Sequence, residues 1–113
     1  MVAGKFDTYM EQGADWTWSV EWPDTSVDLT GCSARLQARV SLESTSTILN
    51  LSSTSTGITI SVPNRKITIS VPASITSTIT DLTSLYDLEL VGSGGSVERL
   101  LEGKITLSKE ITR

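Results

Sequence analysis

The sequence predicts an all-β protein, an antiparallel β-sandwich of the immunoglobulin-like or partly open barrel type. Apolar and hydroxyl-bearing residues alternate at 58–62 and again at 67–71, which is the period of a strand with one buried face. Alternation also flanks a Gly-rich turn at 92–95, as in a β-hairpin. Ser and Thr make up 33 of the 113 residues. Because they alternate with aliphatic residues, they predict the solvated outer faces of a sheet rather than disorder.

Turn residues divide the chain into seven or eight predicted strands. These are a strand at 6–12, one at 16–22, one at 32–42, a short one at 48–51, two joined by a turn at 63–65, and a closing hairpin from 86 to about 111. Ile75, Ile79 and Leu82 follow helical spacing and predict one short helical segment near 73–82. Since no linker interrupts the chain, residues 1–113 are predicted to form a single domain.

The strand predicted at 32–42 has two chemically distinct faces. Every second residue from Cys32 to Leu42 is apolar, which predicts a buried face. Arg35 and Arg39 share the opposite, polar face. These arginines could pair with carboxylates of a neighbouring strand, and Glu89 and Glu98 are the candidates. One interpretation is a solvated face on which ion pairs contribute little. The other is that Arg35 and Arg39 belong to an interface between subunits, where arginine is favoured.

The composition removes the common catalytic pairs and cofactor motifs. The chain has no histidine, so it lacks Ser-His and Cys-His nucleophile pairs and the commonest metal ligand. Its single cysteine, Cys32, begins the apolar face of a predicted strand and is expected to be a small core residue. No Gly-rich phosphate-binding motif is present, and we expect no cofactor.

Charge and hydropathy limit the expected partners. The net charge is −4 and the basic residues are scattered, which disfavours nucleic acid because phosphate binding needs clustered Lys and Arg. No stretch reaches the ~18 apolar residues that a membrane-spanning helix needs. We therefore expect neither a nucleic acid nor a membrane partner.

Two pairs of carboxylates are the remaining candidates for acid–base chemistry. Asp24 and Asp28 lie in a Pro-containing loop, and Glu98 and Glu102 are predicted on one side of a strand. Exposed charge is the ordinary explanation for both pairs, so we predict that the protein is not an enzyme. Asp24 and Asp28 could also contribute to a calcium site, but their spacing does not follow the EF-hand pattern, and we expect no metal.

Three tryptophans, Trp16, Trp18 and Trp22, fall on one face of a single predicted strand. Besides them the chain has only one Phe and two Tyr, so a core of this size needs their bulk, and a core role is favoured. Two alternatives stay open. The tryptophans could anchor a subunit interface, where aromatic residues are enriched, or form a platform on which sugars stack.

A series of short segments carries a resemblance along residues 8 to 113. In chain order they are Gln-Gly-Ala-Asp at 12–15, Asp-Leu-Thr-Gly at 28–31, Ala-Arg-Leu-Gln-Ala-Arg at 34–39, Gly-Ile at 57–58, Tyr-Asp-Leu-Glu-Leu at 86–90, Val-Glu-Arg-Leu-Leu-Glu-Gly-Lys-Ile at 97–105 and Glu-Ile-Thr-Arg at 110–113. Their order and spacing resemble a family of small β-sandwich structural proteins from the tail or baseplate of tailed bacteriophages. The family is similar to the N-terminal β-sandwich of upper-baseplate proteins, which attach receptor-binding parts to the tail.

The resemblance implies a non-enzymatic structural component of a phage tail, baseplate or tail fibre. Its partners would be other tail or baseplate proteins, or further copies of itself in a homo-oligomer. It would be assembled in the cytoplasm of the bacterial host and would reside in the virion tail. In longer relatives such a domain precedes a fibre or receptor-binding region, and for this chain we expect an adaptor or a short tail-fibre component. The alternative is a carbohydrate-binding module that contacts glycans of the host surface.

Overall fold

The computed structural model describes residues 4–21 and 29–112, which form two β-sheets packed together around one apolar core. The prediction of an all-β sandwich with one short helix is confirmed. The elements are β1 (Gly4–Lys5), β2 (Thr8–Glu11), β3 (Trp16–Glu21), β4 (Ser33–Arg39), β5 (Leu49–Ser52), β6 (Ile58–Ser61), β7 (Lys66–Val71), α1 (Ala73–Thr76), β8 (Thr83–Val91) and β9 (Val97–Ser108). Within the described residues, no helix has the length and apolar character needed to cross a membrane.

The larger sheet has six strands and the smaller sheet has three. The order of the larger sheet is β1-β9-β8-β4-β5, with β2 also paired to β9, and the order of the smaller sheet is β3-β7-β6. Most neighbours are antiparallel, but β1 and β2 both run parallel to β9. The sequence pattern does not predict this parallel pairing, because it joins segments from opposite ends of the chain.

Strand alternation directs the apolar side chains of both sheets into the core. Leu36 and Leu88 of the larger sheet are fully buried, and so is Ile67 of the smaller sheet. Burial of such side chains is the main stabilising contribution, at roughly 25 cal/mol per Å² of apolar surface removed from water. On the outer face of the smaller sheet, the hydroxyls of Thr17 and Ser70 lie 3.3 Å apart. The predicted solvated, hydroxyl-bearing face is therefore present on this sheet.

The strand predicted at 32–42 is β4, and it is shorter than predicted. It ends at Arg39 rather than at Leu42. Arg39 Nη1 donates to the carbonyl of Ser44, and a backbone hydrogen bond from Ser44 to Ser41 closes a turn. These contacts draw the chain away from the sheet. Val40 and Leu42, which were predicted to continue the buried face, are 52% and 84% exposed, so that part of the prediction was wrong.

The helix is also shorter than predicted, since α1 is a single turn at Ala73–Thr76 and not a segment reaching residue 82. Ile79 is buried as expected, but Ile75 and Leu82 are exposed. The predicted apolar helix face was therefore wrong. Helical spacing over so short a stretch does not fix which side chains are buried.

The buried residue of α1 is a polar one, Thr76. The Thr76 hydroxyl donates to the carbonyl of Ala14 at 2.8 Å and accepts from the backbone N–H of Gly13 at 3.1 Å. Asp15 accepts a hydrogen bond from the backbone N–H of Ala73 at 2.8 Å. Because a buried hydroxyl is costly unless its hydrogen bonds are made, these contacts fix α1 against the turn between β2 and β3.

Of the strand predicted at 6–12, only β2 is formed, and Phe6 and Asp7 separate it from β1, which precedes the predicted range. Phe6 donates its backbone N–H to Glu102 at 3.0 Å, and the Asp7 carboxylate accepts the backbone N–H of Lys104 at 2.9 Å. Gly103 lies between these two contacts, and a Cβ at this position would overlap the carbonyl oxygen of Phe6. The N-terminal segment can approach β9 this closely because residue 103 has no side chain.

We expect Gly103→Ala to destabilise the protein by about 1–3 kcal/mol, the usual cost of forcing an extra carbon into a packed site. Gly94→Ala is the matched control, because a Cβ there has no heavy atom within 4 Å, and its effect should stay within about 0.5 kcal/mol. Urea unfolding of both variants gives the free energies of unfolding. Equal midpoints for the two variants would contradict the close approach at Gly103.

Candidate functional site

Ion pairs extend across the outer face of the six-stranded sheet. Arg35 Nε lies 2.7 Å from Glu89 Oε1, so of the candidate pairings of Arg35 and Arg39 with Glu89 or Glu98, that of Arg35 with Glu89 is confirmed. Arg99 lies 3.4 Å from Asp87 and 3.5 Å from Glu102. Exposed pairs of this kind contribute little to stability, but together they fix the positions of the charged groups on this face.

The strand register explains why these side chains meet. Residues directly opposite each other in an antiparallel pair project from the same face of the sheet. Arg35 is opposite Glu89, and Asp87 is opposite Glu102. A β-bulge leaves Leu100 of β9 without a direct partner on β8, and it brings Arg99 to the same face as Asp87.

The same bulge separates the carboxylates that were predicted to form a pair. Glu98 is opposite Leu90, whereas Glu102 is opposite Asp87. Since Leu90 and Asp87 are three positions apart in β8, they project from opposite faces. The prediction that Glu98 and Glu102 lie on one side of a strand was wrong, because an inserted residue shifts the alternation by one.

A groove of about 540 Å³ lies on this outer face, within the roughly 300–1,000 Å³ typical of ligand sites. Since β8 runs between β4 and β9, Leu85 of β8 lies along the middle of the groove. Arg39 and Leu42 line it on the β4 side. Lys5 and Lys104 line it on the side of β1 and β9.

Two cations of the groove have no carboxylate partner among residues 4–21 and 29–112. Arg39 donates to the Ser44 carbonyl at 2.8 Å and to Gln37 Oε1 at 3.1 Å. Lys104 has no ion pair in this part of the chain. The register places both side chains opposite Leu85, one on each neighbouring strand. Lys5 differs, since its amine lies 3.1 Å from Glu102.

The carboxyl of Asp87 is partly buried within this charged face. Burial raises the pKa of Asp87, and the neighbouring Glu89 raises it further, while Arg99 acts in the opposite direction. The ion pair with Arg99 therefore offsets only part of the cost of holding a charged carboxylate here.

The hydroxyl of Tyr86 connects β8 to the N-terminal segment on the core side of the sheet. It donates to the carbonyl oxygen of Phe6 at 2.5 Å, and the ring is almost fully buried. Burial, assisted by the negative charge of Asp7, raises the pKa of Tyr86 to about 12. The neutral phenol thus ties β8 to the N-terminal segment, across the strand that separates them.

The structure places two of the three tryptophans in the sandwich. Trp16 is 6% exposed and donates its indole N–H to the carbonyl of Tyr9 at 2.8 Å. Trp18 is half-buried, with its ring centroid 5.7 Å from that of Trp16 and 6.1 Å from that of Tyr86. The core interpretation fits both residues. Trp22 lies outside the described residues.

The other candidate residues form no convergent site in the described part of the chain. Asp24 and Asp28 lie outside it. Within residues 4–21 and 29–112, no three side chains of Cys, Asp or Glu are grouped so that they could hold a metal ion. Cys32 is half-buried just before β4.

Sequence reasoning missed Lys5, Asp7 and Lys104 as lining residues of the groove. Their proximity depends on the parallel pairing of the N-terminal segment with β9, for which the chain has no local pattern. One weak signal was present, namely Gly103 inside an otherwise alternating strand, because an interior glycine often marks the close approach of another backbone.

Comparison of the chain with protein-family models finds no match, and a search of curated proteins finds none either. The fold and the site define a two-sheet β-sandwich that carries a charged groove on the outer face of its larger sheet.

We expect the protein to lose stability at alkaline pH, and we expect Tyr86→Phe to reduce that loss. The folded pKa of about 12 exceeds the ordinary value near 10. The contribution of the neutral phenol is thus fully present below pH 10 and is lost as the pH rises from 10 towards 12. Urea unfolding between pH 8 and pH 12 measures this, with Tyr9→Phe as the control because Tyr9 is exposed. An identical pH dependence in wild type and Tyr86→Phe would contradict the assignment.

Proposed function

We propose that this protein is a non-enzymatic structural component of a bacteriophage tail, baseplate or tail fibre that acts through protein–protein contacts. Two supports are independent of each other. The first is the ordered series of segments, along almost the whole chain, that resembles small tail proteins. The second is the groove on the outer face of the larger sheet, with exposed apolar residues beside it.

The observation that carries the proposal is the exposure of Leu42 at the groove. This side chain is 84% exposed and lines the groove together with half-buried Leu85 and the guanidinium of Arg39. A single exposed leucine is ordinary on a protein surface. Apolar groups next to arginine inside a concavity are instead the composition of protein–protein interfaces. The face is therefore suited to contact with another protein.

The charges of this face favour recognition over catalysis. Asp87 and Glu102 share the guanidinium of Arg99, and Glu102 also pairs with Lys5. A general acid or base must be positioned to exchange a proton with a substrate. Here the carboxylates contact cations of the same chain, which fixes a pattern of charge that a partner could complement.

The expected partners are other tail or baseplate proteins or further copies of this chain, and the expected location is the virion tail, after assembly in the cytoplasm of the bacterial host. Arg35 contacts Glu89 within the chain, and Arg39 lines the groove. Their role in an interface stays a prediction, and so does that of Trp18 and Trp22. Trp16 has little surface left for a partner.

We expect Leu42→Ser to lower incorporation into phage particles by about 5-fold or more, the loss that corresponds to about 1 kcal/mol at an interface. The melting temperature should stay close to that of wild type, because the residue is exposed. Ile111→Ser is the matched control, since Ile111 is also highly exposed but does not line the groove. Immunoblots of purified particles and native mass measure the outcome.

Normal incorporation of the Leu42→Ser variant would count against the groove as an assembly surface. If the protein were absent from particles and bound host-surface glycans instead, the carbohydrate-binding alternative would replace the proposal. Hydrolysis of a host polysaccharide by the purified protein would overturn both.

A further inference from the structure

We propose that the groove binds an extended peptide segment of a partner protein that presents an acidic, an aliphatic and a second acidic side chain at every other position, on one face. The acidic side chains would pair with Arg39 and Lys104, and an aliphatic one would pack on Leu85 and Leu42. This inference deepens the proposed function and rests on it in one respect, namely that the partner is a protein.

The first argument is the charge left over within the groove. Asp7 accepts the backbone N–H of Lys104, while Asp87 and Glu102 contact Arg99, and Glu102 also contacts Lys5. The carboxylates that line the groove are thus already engaged. The side chains of Arg39 and Lys104 have no carboxylate partner in the described ranges, so they provide two cationic positions that acidic side chains complement.

The second argument is the spacing of these two cations. Arg39 and Lys104 lie in one row across the sheet, opposite Leu85 from either side. Neighbouring strands are about 4.8 Å apart, so the two backbones are separated by roughly 10 Å. In an extended peptide, side chains two positions apart project from the same face at roughly 6.6 Å. An acidic, an aliphatic and a second acidic side chain at positions i, i+2 and i+4 therefore all face the groove, with the outer two roughly 13 Å apart. They can reach both cations because Arg and Lys side chains are long and flexible.

The third argument is the apolar surface between and beside the cations. Leu85 is half-buried between them, and Leu42 is exposed at the groove. A fully hydrophilic anion would leave this surface uncovered. Nucleic acid is disfavoured by the groove's own carboxylates and by the net charge of −4. A peptide that presents both a carboxylate and an aliphatic group fits both features.

The test is fluorescence anisotropy with a labelled, capped pentapeptide that carries glutamate, leucine and glutamate at its first, third and fifth positions and serine between them. Two comparison peptides carry glutamine in place of glutamate, or serine in place of leucine. We expect the intact protein to bind the first peptide at least about 5-fold more tightly than either comparison peptide. Binding should weaken as salt is raised from 0.05 M to 0.5 M, because screening reduces the attraction between exposed charges.

Variants of the protein supply the second arm of the test. Arg39→Glu and Lys104→Glu should each weaken binding of the glutamate–leucine peptide by about 10-fold. Lys109→Glu is the matched control, since Lys109 is exposed, lies outside the groove and changes the net charge by the same amount. It should bind like wild type. Circular dichroism melting of each variant checks that the fold is retained.

Several outcomes would overturn the inference. These are equal binding of the glutamate and glutamine peptides, unchanged binding in Arg39→Glu, and full competition by free glutamate, which would indicate a small-anion site. Concentration-dependent dimerisation that Arg39→Glu abolishes, without peptide binding, would assign the groove to a second copy of the chain. Incorporation into particles is measured separately, so loss of incorporation in Leu42→Ser without peptide binding would retain the proposed function and reject this inference.

Discussion

The contact between the N-terminal segment and the last strand is the constraint on which the rest of the larger sheet depends. Gly103 leaves room for the Phe6 carbonyl, which accepts a hydrogen bond from the Tyr86 hydroxyl. Where the strand is interrupted, the Asp7 carboxylate accepts the backbone N–H of Lys104 in place of a backbone carbonyl. Without this contact, β9 would be an unprotected edge strand, a common site of aggregation. The contact also brings Lys5 to the groove, so the N-terminal segment completes both the larger sheet and the candidate site.

A second constraint is the β-bulge in the closing hairpin. One inserted residue, Leu100, shifts the alternation of β9, so that Arg99 reaches the outer face and Glu98 leaves it. The charge pattern of the groove therefore depends on backbone geometry as well as on residue type. A strand of the same composition without the bulge would place Arg99 on the opposite face from Asp87 and would lose the pairing that positions the carboxylates.

The strands and their buried faces could be predicted because alternation is a local signal, as at Leu36 and Ile67. The pairing of Arg35 with Glu89 could be anticipated from the shared polar face. The exposure of Leu42 could not, because a side-chain bond from Arg39 to a loop carbonyl ends the strand without changing the apolar pattern. The groove could not be predicted either, since its residues come from both ends of the chain and meet only through long-range pairing.

The parallel arrangement of β1 and β2 with β9 has a mechanical consequence. Tension applied at Gly4 and Ser108 would pull these strands in opposite directions along their own axes, because parallel strands begin at the same end. The hydrogen bonds between them cross this direction and are loaded together rather than opened one after another. The connection between the first and last strands is therefore in the geometry that best resists stretching, and separation of the strands would require several bonds to fail at once.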